Sequence, residues 1–196
     1  LLAGHTEAFD RFVDIFRTKL FQYSFLVCRQ REDAEEVTQE ALLRVFQNLD
    51  QLKDADRVKA WVFRIARNAC LMKRRKSVFA PERELSLDEL MPSSSHSDGH
   101  KRIEIADWSS LPDDEAFRGE LRRAIEAAIA GLPEMYKTVL LLRDVEELST
   151  EETAGVLDLS TDVVKTRLHR ARLAVRKELD EFLRVRQSPE PVGAHR

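Results

Sequence analysis

The sequence has 196 residues, of which 34% are charged and 43% hydrophobic, and its formal net charge is −3. It contains no apolar run long enough to span a bilayer and no signal-peptide pattern, so we expect a cytoplasmic protein without membrane insertion. The two cysteines, Cys28 and Cys70, provide neither a disulfide framework nor metal-ligand spacing, which indicates a reducing compartment.

The charge is distributed unevenly along the chain. Residues 81–116 hold ten acidic and three basic residues, a local net charge of −7. The rest of the chain therefore carries +4, concentrated in two basic blocks at residues 57–76 and 160–177. The overall acidity thus does not exclude a nucleic-acid partner.

Two helices are predicted before residue 50. From Thr6 to about Arg29 an apolar stripe with helical spacing predicts a packing helix, with Phe9, Phe12, Val13, Phe16, Leu20 and Tyr23 inward. From Arg31 to Leu49 a second stripe consists of Ala34, Val37, Ala41, Val45 and Leu49. The polar side of this second helix carries Glu36, Gln39, Glu40 and Arg44, and taken alone it indicates a solvated acidic face.

A polar connector, residues 48–56, leads into the first basic block. Arg57 to Lys76 contains eight Lys or Arg residues and no acid. Its predicted buried face is Trp61, Val62, Ile65, Ala69 and Met72. Arg64, Arg67, Asn68, Arg74 and Arg75 are left for solvent or phosphate. Basic side chains interleaved with aromatic ones suit single-stranded DNA, although core packing is the preferred role for Trp61 and Phe63.

The helical periodicity fails from Ser77 to about Pro112. Prolines, serines and a glycine predict a flexible acidic linker: Pro81, Pro92, Ser93, Ser94, Ser95, Gly99 and Pro112. His96 and His100 lie within it but lack the further ligands that a zinc site needs, so no metal is predicted.

Helical patterning resumes at Asp113 and runs to Gly131, a favourable C-cap residue. Leu132 and Pro133 restart the chain into a helix whose run Val139 to Leu142 is predicted to be buried. Four helices from Asp113 onward form a compact domain, and the tail from Gln187 is predicted to be disordered.

Ser149 to Lys177 has the pattern of a helix-turn-helix. Ser149 and Glu152 form a capping box for a short helix, Asp158 and Leu159 form the corner, and Ser160 is a second N-cap. The second helix turns Val164, Leu168, Ala171, Val175 and Leu179 inward. From Ser160 to Lys177 six basic residues accompany one acid, Asp162. Such a helix suits a major groove, the alternative being an ordinary amphipathic helix with a solvated basic face.

These motifs resemble those of a known family. GLPEMYKTVLLLRDVEELSTEETAGVLDLSTDVVKTRLHRARLAVRKEL is similar to the C-terminal promoter-binding domain of bacterial sigma factors of the extracytoplasmic-function (ECF) group, in the sigma-70 superfamily. DAEEVTQEALLRVF resembles the surface by which the family docks on core RNA polymerase, and AWVFRIARN resembles its −10 recognition helix. One departure is Asp158, because the family usually has Gly at the corner; Asp tolerates the left-handed conformation at modest cost.

The resemblance implies a set of functional residues. For docking on the polymerase it implies Asp33, Glu36, Gln39, Glu40 and Arg44. For the −10 element it implies Asn68, which lines the pocket for a flipped base, and Arg64, Arg67, Arg74 and Arg75 of the same basic block are expected to contact DNA because of their charge. For the −35 element it implies sequence preference from Lys165, Thr166, His169 and Arg170, and phosphate contacts from Arg167, Arg172 and Arg176. The linker is expected to run through the active-site cleft and RNA exit channel of the polymerase.

We therefore expect an all-α protein of two small helical domains. Residues 1–76 form the sigma region 2 domain, 77–112 the linker, 113–184 the region 4 domain and 185–196 the tail. The expected partners are core RNA polymerase, promoter DNA and an anti-sigma factor; neither a cofactor nor a catalytic constellation is predicted. The alternatives are a stand-alone helix-turn-helix regulator, dimeric on a palindrome, and a helical interaction protein without a DNA role.

Overall fold

A computed structural model describes residues 6–52, 54–76 and 115–187, and these ranges contain seven α-helices and no β-strand. The predicted linker, His96, His100 and residues 188–196 of the predicted tail lie outside the described ranges. The helices are α1 (Thr6–Cys28), α2 (Arg31–Gln47), α3 (Val58–Lys76), α4 (Glu115–Gly131), α5 (Glu134–Leu140), α6 (Thr150–Leu157) and α7 (Thr161–Gln187). The all-α prediction is confirmed, and none of the described helices combines the length and the apolar character of a membrane span.

The first three helices form the N-terminal domain. Leu20 and Tyr23 of α1, Ala41 of α2 and Phe63 of α3 are each at most 2% exposed. The rings of Tyr23 and Phe63 meet edge to face with their centroids 5.5 Å apart, a favourable aromatic geometry. The predicted helical stripes of α1 and α2 are therefore what holds this domain together.

Helices α4 to α7 form the C-terminal domain. The predicted run Val139 to Leu142 is buried, and it continues from α5 into a π-helical turn over Leu141–Val145. Val164, Leu168 and Ala171 of α7 are also buried, which fixes the rotation of that helix. The opposite face of α7 is thereby directed away from the core.

The helix-turn-helix corner has the predicted capping geometry. The Ser149 hydroxyl accepts a hydrogen bond from the Glu152 N–H at 3.0 Å, and the Glu152 carboxylate accepts one from the Ser149 N–H at 2.7 Å. Asp158 ends α6 in the left-handed region, with φ 59° and ψ 50°. The Ser160 hydroxyl then accepts from the Val163 N–H at 3.3 Å, as expected of an N-cap. The local sequence signals thus produce the sharp turn between α6 and α7.

The two domains pack against each other, which the sequence did not indicate. Arg29 donates from Nη2 to the carbonyl oxygen of Ala130 at 2.9 Å, and Arg67 donates from Nη2 to the carbonyl oxygen of Leu157 at 3.2 Å. Glu146, 3% exposed, forms an ion pair with Lys19 across the same boundary. Buried apolar residues of both domains belong to one continuous cluster, so the domains adopt a closed arrangement.

Several details differ from the predictions. Helix α2 ends at Gln47, and Leu49 begins a 3-10 turn, Leu49–Gln51, instead of extending the helical stripe. Met72 is 45% exposed although it was assigned to the buried face of α3. It lies near the end of α3, and its sulfur accepts a hydrogen bond from Arg44 Nη2 at 3.9 Å. Helix α7 continues to Gln187, past the predicted domain boundary at residue 184.

Candidate nucleic-acid interface

The N-terminal half of α7 presents a polar face on a rigid support. Lys165, Thr166, His169 and Arg170 are exposed, and the buried residues of the same helix hold them in register. The Thr166 hydroxyl donates to the backbone carbonyl of Asp162 at 2.9 Å, and Lys165 Nζ lies 3.5 Å from Asp162 Oδ1. These are local contacts at a helix surface, so this face can meet a major groove without rearrangement of the core.

The three other arginines of α7 that are predicted to contact the −35 element differ in their exposure and in their contacts. Arg167 and Arg176 are half-buried. Arg172 is exposed but forms a two-pronged ion pair with Asp144, with Nε–Oδ2 at 2.8 Å and Nη2–Oδ1 at 2.6 Å. Hydrogen bonding to Asp144 raises the pKa of Arg172. Arg172 therefore links α7 to the π-helical turn. The sequence pattern of α7 does not indicate this structural role.

The basic face of α3 is partly engaged by the C-terminal domain. Arg64 and Asn68 are exposed, whereas Arg67 is half-buried and hydrogen-bonded to α6 as described above. Arg74 and Arg75 belong to α3, but their side chains lie outside the described part of the structure. Trp61 and Arg64 line a cleft of about 700 Å³ that also includes Glu152 and Gly155 of α6. The part of the candidate −10 surface that contains Arg64 and Arg67 therefore faces the helix-turn-helix in the closed arrangement.

The acidic face of α2 is braced by α3. Lys73 Nζ lies 3.2 Å from Asp33 Oδ1 and also forms an ion pair with Glu36. Hydrogen bonds to Glu36, which has the larger effect, and to Asp33 raise the pKa of Lys73. Arg44 pairs with Glu40 at 2.6 Å within α2, and Gln39 is exposed. The structure thus brings all five predicted docking residues to one side of the N-terminal domain, four of them as ion-pair partners.

Two apolar residues on this side of α2 were missed by the sequence analysis. Leu43 is 51% exposed and Phe46 is 60% exposed. They lie on the same helix face as Gln39, because residues that are three or four positions apart share a face. The sequence does contain a signal for this apolar surface, because two large apolar residues of α2 lie outside the core stripe that runs from Ala34 to Val45.

Comparison with known proteins identifies the two domains. The profile of sigma-70 region 2 matches residues 12–78, and that of sigma-70 region 4 matches residues 122–175. The chain is 32% identical to the ECF RNA polymerase sigma factor SigW of Bacillus subtilis over 179 residues, which covers 91% of this chain and 92% of SigW. It is 28% identical to the RNA polymerase sigma-H factor of Pseudomonas aeruginosa, covering 92% of this chain and 91% of that protein.

Two solved structures have the same fold. The sigma factor RpoE, in complex with the anti-sigma factor NepR from Bartonella quintana, matches with a TM-score of 0.61 at 20% identity, covering 89% of this chain and 98% of RpoE. CnrH, in complex with the cytosolic domain of CnrY, matches with a TM-score of 0.58 at 24% identity, covering 91% of this chain and 92% of CnrH. Together with the sequence matches over both domains, these observations show that the chain belongs to the ECF sigma factors of the sigma-70 family.

Proposed function

We propose that this protein binds bacterial core RNA polymerase and directs it to promoters by recognising a −10 and a −35 element. The observation that carries the proposal is the presence of region 2 and region 4, in that order, on one chain. Residues 1–76 are assigned to polymerase docking and −10 capture, residues 113–184 to the −35 element, and residues 77–112 to the connection between them. A stand-alone regulator is not favoured, because it has no need of region 2.

The −35 assignment rests on the exposed face of α7. Lys165, Thr166, His169 and Arg170 lie toward the N-terminal half of the helix, where side chains reach base edges in a major groove. Arg167 and Arg176 flank them and suit phosphate contacts. Arg172 contributes to the same surface while it holds Asp144, so its role is partly to position the helix.

The −10 assignment rests on α3. Arg64, Arg67, Asn68, Arg74 and Arg75 form the proposed single-strand surface, in which cations follow the backbone and Asn68 reads an unstacked base. Because Arg67 is hydrogen-bonded to Leu157 and Arg64 borders the cleft, the full α3 surface becomes available to a DNA strand only when the domains separate. Core polymerase supplies that separation by fixing the two domains at the spacing of the promoter elements.

The docking assignment rests on α2. Asp33, Glu36, Gln39, Glu40 and Arg44 form its polar part, and exposed Leu43 and Phe46 add an apolar part that a polymerase surface can bury. Phe46→Ala is expected to weaken binding to core polymerase at least tenfold, which corresponds to about 1.4 kcal/mol. Ile15→Ala is the matched control, because Ile15 is 58% exposed on a different helix. If the two substitutions weakened binding to core polymerase equally, the assignment of α2 to the docking surface would be wrong.

Further partners and properties follow from membership of the family. One structural neighbour is the sigma factor RpoE bound to the anti-sigma factor NepR, and the other is CnrH bound to the cytosolic domain of CnrY. We therefore include an anti-sigma factor among the partners of this protein, together with core polymerase and promoter DNA. The relatives are sigma factors, and we assign no enzymatic activity to this chain. A partner of RNA polymerase acts where the polymerase is, in the cytoplasm.

A further inference from the structure

Two thiols that are 42 positions apart in the sequence meet inside the N-terminal domain. Cys28 is the last residue of α1 and Cys70 lies in α3, with their sulfur atoms 3.7 Å apart. Both are present as thiols, and the sequence contains no other cysteine. An intramolecular disulfide in this sequence can therefore join only these two residues.

The two sulfur atoms are in contact but are not bonded. A disulfide requires an S–S distance of about 2.05 Å, so the two atoms must approach by about 1.7 Å. Cys28 stands where α1 ends, because Arg29 adopts the left-handed conformation with φ 65°. Helix termini open at lower free energy than helix interiors, so the Cys28 side can supply this movement while α3 stays in place.

Cys28 is the more accessible of the two thiols. Cys28 is half-buried, whereas Cys70 is buried and lines a cavity of about 250 Å³ between the two domains, together with Val27, Arg67 and Leu157. The Cys70 thiol also lies 3.8 Å from the buried Ser24 hydroxyl, to which it donates. The Cys28 thiol in turn donates to the Cys70 sulfur.

We propose that Cys28 and Cys70 form a redox-responsive pair that a hydroperoxide converts into an intramolecular disulfide. The Cys28 thiol releases its proton and the thiolate attacks the peroxide oxygen. The O–O bond breaks and the leaving oxygen takes up that proton, so the products are a sulfenic acid and an alcohol, or water from hydrogen peroxide. The Cys70 thiolate then attacks the sulfenic sulfur and releases hydroxide, which takes up a proton to leave as water. Two thiols are oxidised by two electrons and one peroxide is reduced.

The new bond would constrain the domain boundary. It would join the end of α1 to α3 at a position next to Arg29 and one helical turn from Arg67, the two residues that donate hydrogen bonds to the C-terminal domain. Oxidation would therefore fix both donors relative to each other. This inference concerns the thiols alone and does not depend on the proposed promoter function.

The test uses the full chain in its folded, reduced state. The protein is treated with increasing hydrogen peroxide, the remaining thiols are alkylated, and the intact mass is measured. We expect a monomer that has lost two hydrogens and carries no alkyl group, and dithiothreitol should restore both alkylation sites. Circular dichroism before and after treatment checks that the helices stay folded.

Cys28→Ser and Cys70→Ser are the matched variants, since each retains one thiol. Neither can lose two hydrogens within one chain, and each should instead gain oxygen or form a dimer between chains. The proposal is overturned if the wild-type protein also gains oxygen on separate cysteines, if it forms only intermolecular dimers, or if the disulfide appears only in denaturant.

Discussion

Glu146 of the C-terminal domain forms an ion pair with Lys19 of the N-terminal domain, with the Lys19 Nζ and Glu146 Oε2 atoms 3.1 Å apart. Lys59 Nζ lies 3.7 Å from the same oxygen and donates to the backbone carbonyl of Glu146. The carboxylate is thus satisfied by α1 and α3 in the closed arrangement, and water replaces these lysines when the domains separate. A buried ion pair contributes little net free energy relative to the same charges in water. This contact is therefore suited to a reversible separation of the two domains.

Glu146→Gln is expected to weaken the closed arrangement. The substitution removes the charge that two partly exposed lysines share, and we expect the free energy of unfolding to fall by about 1–3 kcal/mol. Urea denaturation measures this loss, and small-angle scattering should report a larger radius of gyration. Glu147→Gln is the control, because Glu147 is an exposed neighbour. A similar loss in both variants would show that Glu146 does not hold the domains together.

Tyr23→Phe is expected to stabilise the protein. The Tyr23 hydroxyl is buried and has no hydrogen-bond partner among the described residues. Removing it should raise the free energy of unfolding by about 1 kcal/mol near neutral pH, since an unsatisfied buried hydroxyl is costly. Urea denaturation of both proteins near neutral pH provides the measurement. An equally large decrease would indicate that the hydroxyl has a partner that stabilises the fold.

The same residue gives a prediction in alkaline solution. Burial, assisted by the neighbouring Cys70, raises the pKa of Tyr23 well above its ordinary value of 10.0. In the unfolded chain the hydroxyl loses its proton near that ordinary value, whereas the folded state keeps it. Stability from this group is therefore complete below about pH 10 and declines as the pH rises beyond it. Wild type should lose more stability than Tyr23→Phe between neutral pH and about pH 11, and parallel losses would contradict the assignment.

Asp158→Gly is expected to stabilise the helix-turn-helix corner. The residue occupies the left-handed region, where glycine meets no Cβ penalty, so the free energy of unfolding should rise by about 0.5–1 kcal/mol. Thermal and urea denaturation test this directly. Asp158→Ala is the matched variant, because it keeps the Cβ and loses the polar side chain that tolerates this conformation. It should destabilise the protein, and the opposite order would contradict the account of the corner.

Arg170→Ala is expected to change promoter preference. If Arg170 reads a base, holoenzyme binding should fall by about 1–3 kcal/mol on promoters with the preferred base at one −35 position, and by less on the others. Lys177→Ala, an exposed substitution further along α7, should show no such dependence. An equal loss on every sequence would assign Arg170 to the DNA backbone.

Local signals made much of the fold predictable from the sequence. The caps at Ser149 and Ser160 and the corner at Asp158 depend on residues within a few positions, and the structure has all three as predicted. The buried run Val139 to Leu142 is also local. Secondary structure of this kind is determined mainly by neighbours in the sequence, which the periodicity and the capping rules describe well.

The contacts between distant segments were not predictable in this way. Nothing in the spacing of Lys19 and Glu146, or of Cys28 and Cys70, indicates that they meet, since helical periodicity assigns a face but no partner. Met72 shows the same limit, because a position on the apolar stripe is buried only if another helix covers it. The expectation that Arg172 contacts phosphate likewise did not reveal its ion pair with Asp144.

The most direct test of the central claim is selection from a promoter library with and without core RNA polymerase. The protein is mixed with duplexes randomised at the −35 and −10 positions, and the DNA that is retained and transcribed is sequenced. We expect two-element sequences at a fixed spacing to be enriched only when core polymerase is present. Enrichment of a palindrome by the protein alone, unchanged by core polymerase, would contradict the assignment as a promoter-selecting sigma factor.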